Sequence, residues 1–219
     1  MCNNKKALAL RIILCIIIAS PGCGGGEKSE NSNKKTLVLT DGVLNYHTVI
    51  SERENAYSKK RIDNFGRLLY SIPFEVRTTD RKDFPDGIIP WASIEKPEND
   101  IANLVDASKV VISETEVSIV IDYPIEKEYR FNVKSKSGFC RAQILRYVSG
   151  AYLKIYEEEE RSATIKTIPI ENRGTTLNRN QTNGIYGVWG HDIADLVLGE
   201  ALIYKSDDGN IVLKLSIES

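Results

Sequence analysis

Residues Phe139–Glu160 read FCRAQILRYVSGAYLKIYEEEE, and this stretch decides the fold class. Ile144, Tyr147, Val148, Ala151, Tyr152 and Ile155 recur at the 3.6-residue helical period, so a single apolar stripe runs down one side of a helix over Arg141–Glu157. Phe139 before the start and Ile144 inside it suit a hydrophobic staple, and Gln143 stands where a capping-box partner belongs. Cys140 occupies the cap itself, where Ser or Thr would accept a backbone hydrogen bond better. The run Glu157–Glu160 puts four acids at the negative end of the helix dipole, which predicts a solvated, frayed terminus. A helix with one apolar stripe needs a sheet face or another helix to cover it.

The flanking sequence supplies the sheet. Lys109–Ser113 and Val117–Asp122 are β-branched runs, and Tyr129, Phe131 and Val133 alternate with Arg130, Asn132 and Lys134. Together they predict an antiparallel meander. Leu198–Tyr204 and Ile211–Ile217 read as a hairpin across Asp207, Asp208, Gly209 and Asn210. Near the start, Thr36–Thr40 and Val43–Ile50 predict two short strands around Asp41-Gly42. Ser51 and Glu54 form an S-x-x-E box, and Ile62, Phe65, Leu69 and Ile72 follow at helical spacing until Pro73. Residues 74–97 carry three further prolines and predict a surface loop pinned by Phe84 and Trp91, with one strand at Phe74–Thr78. Short helices are expected at Glu98–Asp106 and His191–Leu196. The sum is an α+β domain. Its mostly antiparallel sheet carries two main amphipathic helices, Glu52–Ile72 and Arg141–Glu157, on one face.

Composition agrees with a folded body. The chain has 219 residues with 42% hydrophobic and 27% charged, which excludes wholesale disorder and a multi-span membrane protein. Its 29 basic and 30 acidic residues leave no positive excess to meet phosphates, so no nucleic-acid partner is expected.

The N-terminus differs in kind. Lys5, Lys6 and Arg11 supply positive charge, Ala7–Ser20 is apolar apart from Arg11, and Pro21, Gly22 and Cys23 close the segment. Basic start, short apolar core and small exit residues make a secretory signal. About 20 apolar residues are needed to span roughly 30 Å of hydrocarbon, more than this stretch offers. Ser20-Pro21-Gly22-Cys23 resembles the lipobox of a bacterial lipoprotein signal. Gly22 and Cys23 match that pattern, while Ser20 and Pro21 depart from it. The resemblance implies cleavage before Cys23, lipidation of its sulfur and acylation of the new terminus. An ordinary cleaved signal and an uncleaved short anchor are the alternatives.

Gly24–Lys35 is small and polar throughout, a tether that cannot bury a core. A Gly-rich chain of about 12 residues has an end-to-end distance near 20 Å, enough to hold a domain off a bilayer. The expected organisation is a signal at 1–22, a lipidated tether at 23–35 and one globular domain at 36–219. Loss of Lys5, Lys6 and Arg11 leaves 26 basic against 30 acidic residues, a net charge of −4. Anionic headgroups weakly repel such a body, so membrane contact is expected from the lipid rather than from the protein surface. Cys2 and Cys15 leave with the signal and Cys23 is modified, so Cys140 is the one thiol left and no internal disulfide is expected.

Two places could carry chemistry. His191, Asp192 and Asp195 put an imidazole and two carboxylates within one turn, a possible general base or hydrolase site. Against that, each has a structural use at a short helix. His47 is the only other histidine, so a zinc site rich in His or Cys is not expected, and no metal or cofactor is expected. The adjacent loop offers Arg179, Asn183, Tyr186 and Trp189, which could grip a protein, peptide or glycan if exposed, or plug the end of the sheet if buried. Its glycines, Gly184, Gly187 and Gly190, are spaced by three and do not form the dinucleotide fingerprint. The Asp80, Asp83, Asp86-Gly87 spacing does not fit a calcium loop.

The block from Asn178 to Asp192 with Asp195-Leu196, preceded by Gly138-Phe139, Tyr152 and Tyr156–Glu159, resembles a recurring block of uncharacterised proteins over roughly residues 110–219. That resemblance implies no activity and assigns no site residue. The functional expectation is a lipid-anchored, exported protein of a bacterial cell envelope, acting as a non-enzymatic binding or scaffolding module. An anchored hydrolase using His191, Asp192 and Asp195, and an immunity-type inhibitor with an acidic binding surface, are the alternatives.

Overall fold

The computed structural model describes residues 48–59, 65–174 and 178–219. The signal, the lipobox, the tether and the Thr36–Thr40 strand lie outside the described residues. Among the described residues no helix is long and apolar enough to cross a membrane.

Helix α1 covers residues 48–59. Residues 48–50, expected to finish a strand, are helical, and Ser51 lies inside the helix rather than at its cap. Strand β1 (Arg67–Pro73) replaces the second half of the helix expected to run to Ile72. It pairs antiparallel with β9 (Val197–Lys205) from Arg67↔Lys205 to Pro73↔Glu200. The helical spacing of Ile62, Phe65, Leu69 and Ile72 rests on four residues, the first of which lies outside the described residues. Of Leu68, Leu69, Tyr70 and Ile72, only Ile72 is buried. A ladder along a long strand outweighs so short a periodic signal.

Residues 74–109 are mostly loop. Phe84 and Trp91 meet edge-on at 6.0 Å, a contact within the loop itself and not with the core to which they were expected to pin it. The Phe74–Thr78 strand shrinks to β2 (Val76–Arg77), paired with β3 (Ile88–Ile89). Strand β4 (Ala92–Ser93) joins β9. Helix α2 is a single turn, Pro97–Ile101, after which Leu104 turns into the core. Strand β5 (Val110–Ile112) does not continue into a three-strand meander. It pairs instead with β8 (Phe139–Cys140), which leads directly into the long helix that follows.

The main sheet runs β1-β9-β10-β6-β7, with β4 also on β9. Strands β6 (Glu116–Ile121) and β7 (Tyr129–Lys134) form one hairpin, and β9 and β10 (Ile211–Glu218) form the other. The two hairpins meet where β10 lies parallel to β6. The protein is therefore α+β with a mostly antiparallel sheet. Register aligns Ile203, Leu213, Ile119 and Phe131 across four strands. Ile203, Leu213 and Ile119 are fully buried, which fixes the register because a one-residue slip would turn the whole row outward.

Helix α3 (Arg141–Ser162) covers this row. Ile144, Leu145, Val148, Tyr152 and Ile155 have no exposed surface. Each fully buried aliphatic side chain contributes about 1.5–3 kcal/mol. The Gln143 side chain accepts the Cys140 amide at 3.0 Å and the Cys140 side chain meets the Gln143 amide, so both halves of the expected capping box are present. Ile50 of α1 joins the same core, and Tyr57 packs against it. The helix does not fray at Glu157 but continues to Ser162, for a reason found in the adjacent loop.

Candidate functional site

Glu159 follows Tyr152 and Ile155 on the buried stripe of α3, and it has no exposed surface. Its Oε1 accepts the Thr182 hydroxyl at 2.6 Å and the Gly184 amide at 2.7 Å. Its Oε2 accepts the amides of Tyr186 at 2.8 Å and Gly187 at 3.1 Å. Desolvation pushes the carboxyl towards neutrality, but the hydrogen bonds from Thr182, Tyr186, Gly184 and Gly187 outweigh it and hold it below its ordinary range. The ionised carboxylate is the acceptor around which residues 182–188 wrap. Two glycines make the wrap possible. A Cβ on Gly184 would lie 2.6 Å from a Glu159 oxygen, and Gly187 has φ +69°. The neighbours in the acidic run are also engaged. Glu158 accepts the Tyr186 hydroxyl at 2.6 Å, and Glu160 accepts the Thr167 hydroxyl at 2.8 Å. The expected solvated helix end is an anchoring cluster, and its contacts with the loop explain the extra helical turn.

The four loop residues expected to grip a ligand do not form one open surface. Arg179 is buried, its guanidinium 5.2 Å above the Tyr156 ring and hydrogen-bonded to the Thr167 hydroxyl. Asn183 is exposed but already engaged, its Oδ1 accepting the amides of Thr164 and Ile165 at 3.0 and 2.7 Å. Trp189 is a core residue, set edge-on against Tyr123 at 5.3 Å. Tyr186 is half-buried beside Tyr129, so Asn183 is the one exposed member of the four.

His191, Asp192 and Asp195 face three different partners. Asp192 forms a two-pronged ion pair with Arg173, at 2.6 and 3.0 Å. The Asp195 carboxylate closes its own 3₁₀ turn on the Asp192 amide at 3.0 Å, where a short helix at His191–Leu196 was expected. His191 reaches across the fold to Glu54 of α1, 3.0 Å from its Nε2. Ser219 Oγ lies 3.4 Å from that same nitrogen. A serine–imidazole–carboxylate relay needs the hydroxyl and the acid on opposite ring nitrogens, so this arrangement does not supply one.

Glu54, the partner of His191, borders a cavity that no sequence pattern marks. Tyr123 donates to Glu54 at 2.8 Å and lies 2.9 Å from Ser219 Oγ. Burial, with Glu54 alongside, pushes the Tyr123 phenol well above its ordinary range and keeps it a neutral donor. The Tyr57 ring packs on Tyr123 at 4.8 Å, and its hydroxyl donates to Asp122 at 3.1 Å. Lys214, buried in the middle of β10, pairs with Asp122 and approaches the Tyr57 hydroxyl at 3.3 Å. Glu54, Tyr57, Tyr123, Lys214, Ser216 and Ser219 line about 400 Å³ between α1 and the end of β10. Apolar tyrosine rings, hydroxyls and balanced charges in a concave space suit the orientation of a small polar ligand. Among the described residues no group of three His, Cys, Asp or Glu is placed to hold a metal.

Lys214 alternates with Leu213 and Leu215 along β10, and by pattern it belongs on a wet face. The residues that cover it, Tyr57 and Asp122, are far away in sequence, so no local signal marks the site. No protein-family model, no curated protein and no solved structure matches the chain.

Proposed function

We propose that this protein is a lipid-anchored component of a bacterial cell envelope whose folded body is a non-enzymatic binding module. The observation that carries the placement is the Lys5–Cys23 segment. A basic, short apolar and small-residue sequence ends in Gly22-Cys23 and is followed by a polar, glycine-led tether. Attachment through acyl chains on Cys23 would hold the domain stably, because each buried CH₂ contributes about 0.8 kcal/mol.

Binding rather than catalysis is favoured by the division of labour among polar side chains. His191, Asp192 and Asp195 each serve a contact inside the fold, while the cavity beside α1 presents fixed hydroxyls and paired charges on a rigid frame. The ligand enters there, between Tyr57 and Ser216, rather than on the 178–190 loop.

The anchor is tested by growing cells expressing the wild-type chain and Cys23→Ser with radiolabelled palmitate. The wild-type protein takes up label and is shortened, whereas the variant accumulates at full length without label. Equal maturation of the two, or an unlabelled wild-type protein, would remove the placement and the role built on it.

A further inference from the structure

The Glu159-centred loop leaves one feature without a use. Immediately after α3, Ile165, Ile168 and Ile170 are 55%, 43% and 61% exposed, and Ile185 beside them is 48% exposed. Ile185 is brought to this segment by its amide, which donates to Ser162 Oγ at 3.0 Å. Exposed aliphatic residues are ordinary when scattered, but a group of them marks a contact surface.

The backbone under these side chains is unusual for irregular structure, because most of its polar groups already have partners within the fold. The amides of Thr164 and Ile165 go to Asn183, that of Thr167 goes to Glu160, and that of Ile168 goes to Asn180 at 2.7 Å. Pro169 has no amide hydrogen. The carbonyls of Lys166 and Ile168 accept from Asn180 Nδ2 and Arg173 Nε. Those of Pro169 and Ile170 accept from the amides of Asn172 and Arg173. A loop normally relies on water for these bonds, and an unmet peptide group carried into hydrocarbon costs several kcal/mol. This loop carries isoleucines outward on a peptide frame that does not need water at those positions.

We infer that the Ile165–Ile170 loop with Ile185 is a second membrane contact, inserting its aliphatic side chains into the headgroup–acyl boundary. The inference rests on the anchored reading of Cys23. Protein hot spots are rich in Trp, Tyr and Arg and trade directional hydrogen bonds, whereas this surface offers aliphatic side chains over an internally bonded backbone. Lys166 at its centre is tied back to the Glu160 carbonyl, and Arg161 is paired with Glu157. The four isoleucines, and not charge attraction, carry the contact, which reconciles it with an acidic body that anionic headgroups repel. The anchor keeps the loop at high effective concentration near the bilayer, so a weak contact is sufficient to orient the domain.

The test uses the mature lipoprotein, produced from the full chain and reconstituted into phosphatidylcholine vesicles. An environment-sensitive dye is placed on Ile168→Cys, or on Asp208→Cys at the β9–β10 turn as a control, in a Cys140→Ser background. The dye at position 168 shifts to the blue and loses emission when lipid-borne quenchers are added, at low and high salt alike, and the control dye does neither. A water-like dye at position 168 on protein that floats with the vesicles overturns the inference and leaves the anchor standing. A blue-shifted dye that lipid quenchers do not reach also overturns it, in favour of a protein partner. Protein that does not float with the vesicles removes the anchored reading itself.

Discussion

Replacing Glu159 should cost more than any other single surface-run charge, because its carboxylate is a structural acceptor. In Glu159→Ala, the amides of Gly184, Tyr186 and Gly187 lose their partner together, and the Thr182 hydroxyl is left with the Val188 carbonyl at 3.2 Å. Each buried donor left unmet costs about 1–3 kcal/mol. Relaxation and entering water recover part of that, so a net loss of about 3–5 kcal/mol is expected, near the upper end for point substitutions. Glu159→Gln keeps one acceptor oxygen but turns an NH₂ group towards backbone donors, so it should cost about 2–3 kcal/mol. For a domain of this size the alanine variant would melt about 6–20 °C lower. Urea unfolding gives the free energy, and hydrogen exchange shows whether the loss is local, since the amides of residues 184, 186 and 187 should lose protection before those of β9 and β10. The carboxyl is held below its unfolded value, so its contribution is present above the ordinary carboxylate range and is lost as pH falls through the lower folded value. Wild-type stability should thus fall towards acid more steeply than that of Glu159→Gln. Unchanged stability and retained protection in Glu159→Gln would refute the reasoning.

Other outcomes follow from the same contacts. Lys214→Met leaves Asp122 buried without its cation and should cost about 3–5 kcal/mol, most of it regained in the Lys214→Met, Asp122→Asn double variant, as urea titrations of the three proteins would show. Trp189→Ala removes a buried ring from the core and should lose about 3–5 kcal/mol by the same assay, whereas a ligand-gripping surface tryptophan would cost little. Cys140→Ser installs a better cap on α3 and should gain about 0.5–1 kcal/mol, read as a raised melting temperature.

The parts of the fold legible in the sequence are those with local causes. Helix α3 shows itself by its stripe and its staple, and the β9–β10 hairpin by alternation on both sides of Asp207–Asn210. The β6–β7 hairpin is equally plain. Strand β1 was hidden because its residues match a helical spacing over too few positions, and its identity comes from β9, more than 120 residues away, as the Arg67↔Lys205 pairing shows. β5 was assigned to the wrong neighbour for a similar reason, since its partner β8 follows β7 in the chain.

The site was less legible. A run of four acids reads as solvent-facing unless one notices that Glu159 extends the Tyr152–Ile155 stripe towards a loop rich in amides and glycine. The cavity gives no local warning. Its bonds join residues 69, 96 and 137 positions apart, and those links exist only once α1 docks beside β10. His191 and Asp192 are neighbours in sequence, yet their side chains go to different partners, Glu54 and Arg173.

The account depends most on what stands at the start of the mature chain. Mass spectrometry of the N-terminal peptide from protein extracted from membranes measures this directly. The account predicts a chain that begins at Cys23, with residues 1–22 absent and the peptide heavier by acyl and diacylglyceryl groups. A peptide that begins at Met1, or an unmodified Cys23, would contradict it.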